Sequence, residues 1–278
     1  MCKNRTSGFT LVELILVIVV LGIVGVATTS YLGLGAQMYA DAAGRDKLLS
    51  QSRFAVERIT RELRNVVPNS VRTWNDGGVS RQCIEFAPLL QAGRYQGSLT
   101  SGAASLFSAA DEWADLVQLA TTSPVFMTVY PTNAPTDIYQ KARVATTLNM
   151  SVNGSDSRVL DVTFSFPAAL PDSPSQRMYF MTAPIVYCIV GTQLWRYQRA
   201  GIVESEATVN LPNGVLMADG LDNTPGTGFY AANSTLAFSF ENSVVLTRNA
   251  VVHIRLAFRS NFNDTLVFNQ EIHIPNVP

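Results

Sequence analysis

The sequence of 278 residues has little charge. Charged residues make up 15% of it, compared with about 25% in an average soluble domain. Lys and Arg number 20 and Asp and Glu number 21, so the formal net charge is -1. Because nucleic-acid binding depends on a surplus of basic residues that displace counterions from the phosphates, this balance excludes nucleic acid as a partner.

Residues that carry out chemistry are also scarce. The two histidines, His253 and His273, occupy alternating positions of predicted strands, where a structural role is the simpler explanation. The sequence contains no His-Glu-x-x-His zinc motif, no Gly-x-Ser-x-Gly nucleophile elbow and no phosphate-binding Gly-rich loop. We therefore predict no catalytic residue, no cofactor and no enzymatic activity.

One cluster of oxygen-bearing side chains is a metal candidate. Asp219, Asp222 and Asn223 lie close together in a turn-rich stretch and have the carboxylate and amide oxygens that Ca²⁺ prefers. Asp and Asn are also the residues that form turns by bonding to their own backbone. We prefer turn formation and predict no metal site.

The apolar residues, by contrast, are concentrated at the N-terminus. No charged residue occurs from Leu14 to Leu34, and about 20 apolar residues suffice to span a bilayer. The Leu, Ile and Val residues of this region outweigh the cost of roughly 3 kcal/mol for one central carboxylate, here Glu13. Lys3 and Arg5 precede the run and favour a cytoplasmic N-terminus. The rest of the chain is then expected outside the cytoplasm.

Two alternatives exist for this segment, a removable signal peptide and a retained anchor. The run is longer than the roughly 7 to 15 apolar residues of a signal peptide, which favours the anchor. The role of Glu13 also has two possible interpretations. The residue either lies at the depth of the lipid headgroups, or it is a functional carboxylate inside the membrane.

The residues around Glu13 carry a resemblance. The string Gly8-Phe9-Thr10-Leu11-Val12-Glu13, after a short basic leader and before the aliphatic run, resembles the processing signature of type IV pilins and type II secretion pseudopilins. The resemblance implies that a prepilin peptidase cuts between Gly8 and Phe9, that the new amine of Phe9 is methylated, and that Glu13 pairs with the N-terminal amine of a neighbouring subunit. It also implies partners, namely other pilins or minor pilins of the same filament and an inner-membrane assembly platform.

The helix is predicted to continue beyond the membrane. Between Gly44 and Pro68, apolar residues recur at spacings of three and four, which is typical of an amphipathic helix. The stretch from Phe9 to Val66 therefore predicts one helix about 85 Å long. Residues 51–72 are similar to the corresponding helix of minor pilins of mannose-sensitive haemagglutinin (MSHA) pili, and more loosely to J-type minor pseudopilins and W-type minor pilins.

After this helix the pattern changes to short apolar or alternating runs separated by turn residues, which predicts an antiparallel sheet. The expected strands are Gln82 to Ala87, Val125 to Tyr130, Val159 to Phe166, Met178 to Val190, Leu194 to Arg199, Thr235 to Glu241, Ser243 to Thr247, Val251 to Arg259 and Thr265 to Ile274. Hairpin turns are expected at Gly191 to Gln193, Asn249-Ala250 and Asn261 to Asp264. Gly97 to Asp115 is expected to be a loop with a short helix, and Pro212 to Gly228 a second loop.

The fold class that follows is α+β and pilin-like, a long N-terminal helix packed on an antiparallel β-sheet head. We divide the chain into a leader peptide (residues 1–8), a transmembrane helix (9–34), the amphipathic half of the helix (35–67) and a globular head (68–278). The expected location is the inner membrane by a single pass, with the head in the periplasm, and afterwards the pilus at the cell surface.

Cysteine is rare, and its three positions differ in meaning. Cys2 leaves with the leader, so the mature chain keeps Cys83 and Cys188. Two thiols outside the cytoplasm are expected to pair, and a disulfide that closes a loop of about 105 residues stabilises by roughly 4 to 5 kcal/mol in the chain-entropy model. Two unrelated buried thiols are the alternative.

Three functions are compatible with the sequence. A structural subunit of a type IV pilus, acting in pilus assembly or its initiation, accounts for both the processing signature and the amphipathic helix. A J-like minor pseudopilin of type II secretion is the second. It would have the same membrane helix and the same assembly through that helix, but it would belong to a secretion machine and not to a pilus. A membrane-tethered extracytoplasmic adhesin or enzyme would use the helix only as a tether.

Overall fold

The computed structural model describes residues 9–75, 81–108, 112–204, 214–223, 236–241, 250–260 and 264–274. The chain divides into two compact units, Met1–Lys47 and Leu48–Pro278. We call them the N-terminal unit and the C-terminal unit. One long helix, α1 (Leu11–Arg64), contributes residues to both.

The N-terminal unit consists, within its described residues, of the first part of α1. Every side chain from residue 9 to residue 40 is exposed. Two of its threonines bond to their own helix, since the hydroxyl of Thr28 donates to the carbonyl oxygen of Val24 at 2.7 Å and that of Thr29 to the carbonyl oxygen of Val26 at 3.0 Å. Their hydroxyls are thus satisfied within the helix, and from Leu14 to Ala27 the surface that the helix presents is apolar.

Among its described residues, the C-terminal unit has three antiparallel sheets, the last turns of α1, one further α-helix, and short helical segments at Leu99–Ser101 and Ala134–Tyr139. The further α-helix is α2 (Trp113–Thr122). The strands are β1 (Arg72–Asn75), β2 (Arg81–Phe86), β3 (Leu89–Gln96), β4 (Ala103–Phe107), β5 (Phe126–Val129), β6 (Thr147–Val152), β7 (Val159–Ser165), β8 (Arg177–Met181), β9 (Ile185–Val190), β10 (Gln193–Gln198), β11 (Val215–Ala218), β12 (Phe238–Glu241), β13 (Ala250–Arg259) and β14 (Thr265–Ile274). A pilin-like α+β fold, a long apolar N-terminal helix followed by an antiparallel β-sheet head, is therefore confirmed.

Two of the sheets share a core with the last turns of α1. The five-stranded sheet has the order β1-β2-β9-β10-β11, and the three-stranded sheet has the order β12-β13-β14. Ala55, Val56, Ile59 and Leu63 recur at helical spacing and are buried in one cluster with residues of both sheets. This stripe is the one that the sequence predicted, and its burial is what fixes residues 48–64 in the C-terminal unit.

An ion-pair cluster adds polar contacts to the same interface. Glu62 of α1 lies 3.1 Å from the guanidinium of Arg196 on β10 and accepts a hydrogen bond of 2.9 Å from the hydroxyl of Tyr187 on β9. Burial, reinforced by the Glu62 carboxylate, raises the pKa of Tyr187 well above the usual value of a tyrosine. The hydroxyl therefore stays a neutral donor to Glu62.

The six-stranded sheet, of order β5-β8-β3-β4-β7-β6, has a separate core beneath α2. Trp113 is fully buried there, meets Phe180 edge-on, and donates its indole N–H to the carbonyl oxygen of Arg158 at 2.8 Å. Gly93 on β3 makes room for the indole, because a Cβ at this position would lie 2.8 Å from Cη2 of Trp113. The glycine is therefore a packing requirement of this sheet.

The helix ends differ slightly from the expectation. The predicted span was Phe9 to Val66, whereas α1 begins at Leu11 and ends at Arg64. Val66 forms an isolated antiparallel bridge to Pro88, and the backbone N–H of Val67 donates to the carbonyl oxygen of Ala87 at 2.9 Å. Pairing with this neighbouring segment draws the chain out of the helix before Pro68.

Three strand predictions were wrong. The single run from Met178 to Val190 is two strands, β8 and β9, which belong to different sheets because the chain breaks around Pro184, a residue without a backbone N–H. The loop predicted from Gly97 to Asp115 contains β4, an inner strand of the six-stranded sheet, although α2 does begin at Trp113. The loop predicted from Pro212 to Gly228 contains β11.

The other strands and turns have three different outcomes. Strands β1, β3 and β6 were also missed. The strand predicted from Ser243 to Thr247 and the turn at Asn249 lie outside the described residues. The turn at Gly191 is confirmed, since Gly191 has a φ of 61° and joins the paired strands β9 and β10.

Candidate functional site

The candidate site at the N-terminus is built on the first turn of α1. Thr10 precedes the helix, and its side-chain oxygen accepts a hydrogen bond of 3.4 Å from the backbone N–H of Glu13. The carbonyl oxygen of Thr10 accepts from the same N–H at 3.1 Å. Thr10 therefore caps the helix, and Glu13 is the glutamate of the capping-box pattern Thr-x-x-Glu. This capping signal is present in the sequence, but the predicted helix start at Phe9 does not use it.

The carboxylate of Glu13 lies where a helix favours negative charge. The exposed N–H groups of a first turn give the helix start a partial positive charge, which stabilises a nearby anion by about 0.3 to 1 kcal/mol. Within the described part of the chain, the Glu13 carboxylate has no hydrogen bond or ion pair with another side chain. Gly8, the other processing residue, lies outside the described residues, whereas Phe9 is described and is 79% exposed.

Beyond Glu13 the surface of α1 is apolar and uncovered. The side chains of Leu, Ile and Val from residue 11 to residue 26 are all exposed. Among the described helices, α1 is the one long and apolar enough to cross a membrane. An apolar surface of this size has to be buried by lipid or by other helices, and a carboxylate within it needs a cation.

The two cysteines of the C-terminal unit are joined. Cys83 on β2 and Cys188 on β9 are directly opposite each other in the sheet, and their sulfur atoms are 2.03 Å apart. Both are buried, in a cluster with Val186 that is flanked by Trp74 and other partly buried residues. The disulfide thus links two central strands of the five-stranded sheet.

The three metal candidates have other partners. Asp219 accepts hydrogen bonds from the hydroxyl of Thr192 and from the backbone N–H of Gly220, and Asp222 forms an ion pair of 2.8 Å with Arg259. Asn223 bonds to the backbone of β13 through both its amide nitrogen and its amide oxygen. Each side chain therefore has a structural explanation in a turn or at a strand.

The two histidines lie on the three-stranded sheet. His253 on β13 is largely buried, and its two ring nitrogens are each 3.5 Å from a carboxylate oxygen, one of Glu241 on β12 and one of Glu271 on β14. His273 on β14 is exposed. The described residues contain no group of three or more His, Cys, Asp or Glu side chains arranged to hold a metal ion.

A buried ion cluster in the five-stranded sheet escaped the sequence analysis. The carboxylate of Glu85 on β2 is fully buried and binds the guanidinium of Arg72 on β1 at 2.7 Å and that of Arg199, which follows β10. The guanidinium of Arg72 also lies 3.5 Å from the ring centre of Tyr139. A charged residue inside the apolar run Gln82 to Ala87 was the available signal, because a buried carboxylate requires a cation.

Comparisons with known proteins bear on the N-terminus. Residues 3–29 match the family model described as the prokaryotic N-terminal methylation motif, which includes Gly8, Phe9 and Glu13. The comparison with curated proteins and the comparison with solved structures each found no match. The matched motif and the apolar helix indicate membrane anchoring by a single pass and partners of the pilus type. Together with the fold they support a type IV pilin-like or pseudopilin-like protein, a family whose members are structural.

Proposed function

We propose that this protein is a minor type IV pilin of the MshO kind, a structural subunit that acts in the assembly or initiation of an MSHA pilus. A prepilin peptidase removes residues 1–8, and the amine of Phe9 is then methylated. The observation that carries the proposal is the methylation motif placed at the start of a helix that is exposed up to residue 40 and apolar from Leu14 to Ala27.

The proposed location follows from the same helix. Residues 9–34 cross the inner membrane before assembly, and Lys3 and Arg5 hold the N-terminus in the cytoplasm. Residues 35–67 contain the rest of the helix, and the head (68–278) lies in the periplasm, where the disulfide forms. During assembly the helix leaves the lipid and is covered by the helices of neighbouring subunits, and the protein becomes part of the filament.

Glu13 is proposed to direct this exchange of lipid for protein. Cleavage before Phe9 creates an α-amine four residues from Glu13 along the chain. A carboxylate in apolar surroundings is strongly stabilised by a buried cation, and the amine of the adjoining subunit supplies one. The pairing therefore stabilises one axial position of a subunit relative to its neighbour.

Variants at Glu13 test this role. Glu13→Ala and Glu13→Gln are both expected to abolish incorporation into filaments or reduce it at least about tenfold, because both remove the charge that pairs with the amine. Incorporation is measured by immunoblotting of sheared filaments against the membrane fraction. Asp46→Asn, at an exposed acid on the same helix outside the apolar run, is the matched control and is expected to assemble normally.

The amide variant separates pairing from helix capping. Glutamine retains the capping-box pattern but has no charge. If Glu13→Gln assembles as well as the unchanged protein while Glu13→Ala does not, Glu13 acts through the helix start and the pairing role is wrong. If both variants assemble normally, α1 is merely a tether, as in a membrane-bound adhesin or enzyme.

The same motif also fits a J-like minor pseudopilin of type II secretion. The two functions differ in the machine that takes up the subunit. Isolation of the protein with pilus subunits supports the pilin, whereas its isolation with pseudopilins, together with a secretion defect when it is deleted, supports the pseudopilin.

A further inference from the structure

A groove of about 390 Å³ runs between α1 and β14 in the C-terminal unit. Four of its lining residues belong to α1 and one to β14; they are Glu57, Thr60, Arg61, Arg64 and Gln270. The hydroxyl of Thr60 donates a hydrogen bond of 2.8 Å to the side-chain oxygen of Gln270. Because no residue of β12 or β13 lines the groove, it opens at the outer edge of the three-stranded sheet.

The strand at that edge is suited to pairing. β14 pairs with β13 along all ten of its residues, and within the described ranges no strand pairs with its opposite side. The backbone N–H and C=O groups on that side are ready to bond to an added strand. Proline and lysine are residues that natural proteins use to block such edges, and β14 contains neither.

The charge of the groove indicates which strand it accepts. Arg61 and Arg64 are exposed and, among the described residues, form no ion pair, and Glu57 is the one acidic residue of the lining. The groove therefore has a positive surplus that attracts carboxylates. Alternate side chains of a strand point to the same side, so a strand paired with β14 would direct every second residue towards α1.

We propose that the outer edge of β14 and this arginine-lined groove bind an extended, acidic segment of a partner protein as an additional strand. The backbone of that segment pairs with β14, and carboxylates at alternate positions meet Arg61 and Arg64. This contact uses the last turns of α1 and not its exposed apolar part, and it does not depend on Glu13 or on leader removal. Its failure would leave the proposed pilin function standing.

A synthetic peptide of alternating Glu and Val, labelled with a fluorophore, tests the charge requirement. Its binding to the full-length protein in detergent micelles is followed by fluorescence anisotropy. We expect saturable binding that Arg61→Glu/Arg64→Glu weakens at least about tenfold, because two attractions become repulsions. Arg53→Glu is the matched control, since Arg53 is an exposed arginine of the same helix that does not line the groove, and it should alter the affinity less than about threefold.

Backbone methylation tests strand pairing. Along a strand, alternate amides face opposite sides and so form two sets. Two versions of the peptide are made, and each carries N-methyl groups on a different one of these sets. Only one set faces β14, so one version should lose binding and the other should keep it. Equal binding of both versions, an unchanged affinity for the Arg61→Glu/Arg64→Glu protein, or no saturable binding at millimolar peptide overturns the proposal. A change in the oligomeric state of that variant without peptide would assign the groove to a second copy and overturn it as well.

Discussion

Replacement of both Cys83 and Cys188 by alanine is expected to lower the free energy of unfolding of the C-terminal unit by about 4 kcal/mol. The two residues are 105 positions apart in the sequence, and a cross-link that closes a loop of about 100 residues stabilises by roughly 4.7 kcal/mol through the entropy that it removes from the unfolded chain. The loss is measured by urea unfolding of the full-length protein in micelles.

The unfolding of this variant is best followed by far-ultraviolet circular dichroism. Trp74 and Trp195 are directly opposite the two cysteines in the sheet, so their fluorescence would change with the removal of the sulfur atoms alone. Cys2→Ala in the uncleaved chain is the control and should leave the transition unchanged. A loss below about 1 kcal/mol for the double variant would show that the link constrains the unfolded chain far less than its length implies.

Glu85→Gln is expected to cost about 3 to 5 kcal/mol. The side chains of Glu85, Arg72 and Arg199 are 0%, 4% and 7% exposed, and the amide would leave two buried guanidinium groups without their shared carboxylate. Removal of one partner from a buried ion pair carries this cost because the remaining charge is neither solvated nor compensated. The same urea titration measures it.

An exposed ion pair supplies the comparison. Asp156 and Arg158 lie 2.9 Å apart, but their side chains are 39% and 61% exposed, so Asp156→Asn should lower stability far less than Glu85→Gln does. Similar losses for Glu85→Gln and Asp156→Asn would mean that the Glu85 cluster is solvated in solution, contrary to its burial in the structure.

Features with a regular local pattern were predictable from the sequence. The uncharged run after Glu13 and the stripe from Ala55 to Leu63 identify α1 through composition and helical spacing. Strands β13 and β14 follow from runs of alternating residues. The methylation motif depends on a few adjacent residues, which is why the sequence alone was enough to identify the candidate site around Phe9 and Glu13.

Features that depend on distant partners were not predictable in this way. Strand β4 has the sequence Ala-Ala-Ser-Leu-Phe, whose small residues favour a loop. It forms a strand because β3 pairs with it on one side and β7 on the other. In the sequence, Gly93 suggests an interruption of β3. In the structure, the side chain of Trp113, which lies 20 positions later, leaves no room for a Cβ at this position. The Glu85 cluster likewise joins residues 13 and 114 positions away. The pairing of Cys83 with Cys188 had an alternative in the sequence, two free thiols, and it is the register of β2 and β9 that brings the residues together.

The central claim, that the chain is processed and assembled as a pilin, is tested most directly at the N-terminus of the mature protein. Mass spectrometry of the N-terminal peptide, purified from membranes of cells with and without prepilin peptidase, identifies the first residue and its modification. The account predicts N-methylated Phe9 when the peptidase is present and an uncleaved leader when it is absent. An intact Met1 in both, or cleavage near Thr28 as for a secretory signal peptide, would contradict it.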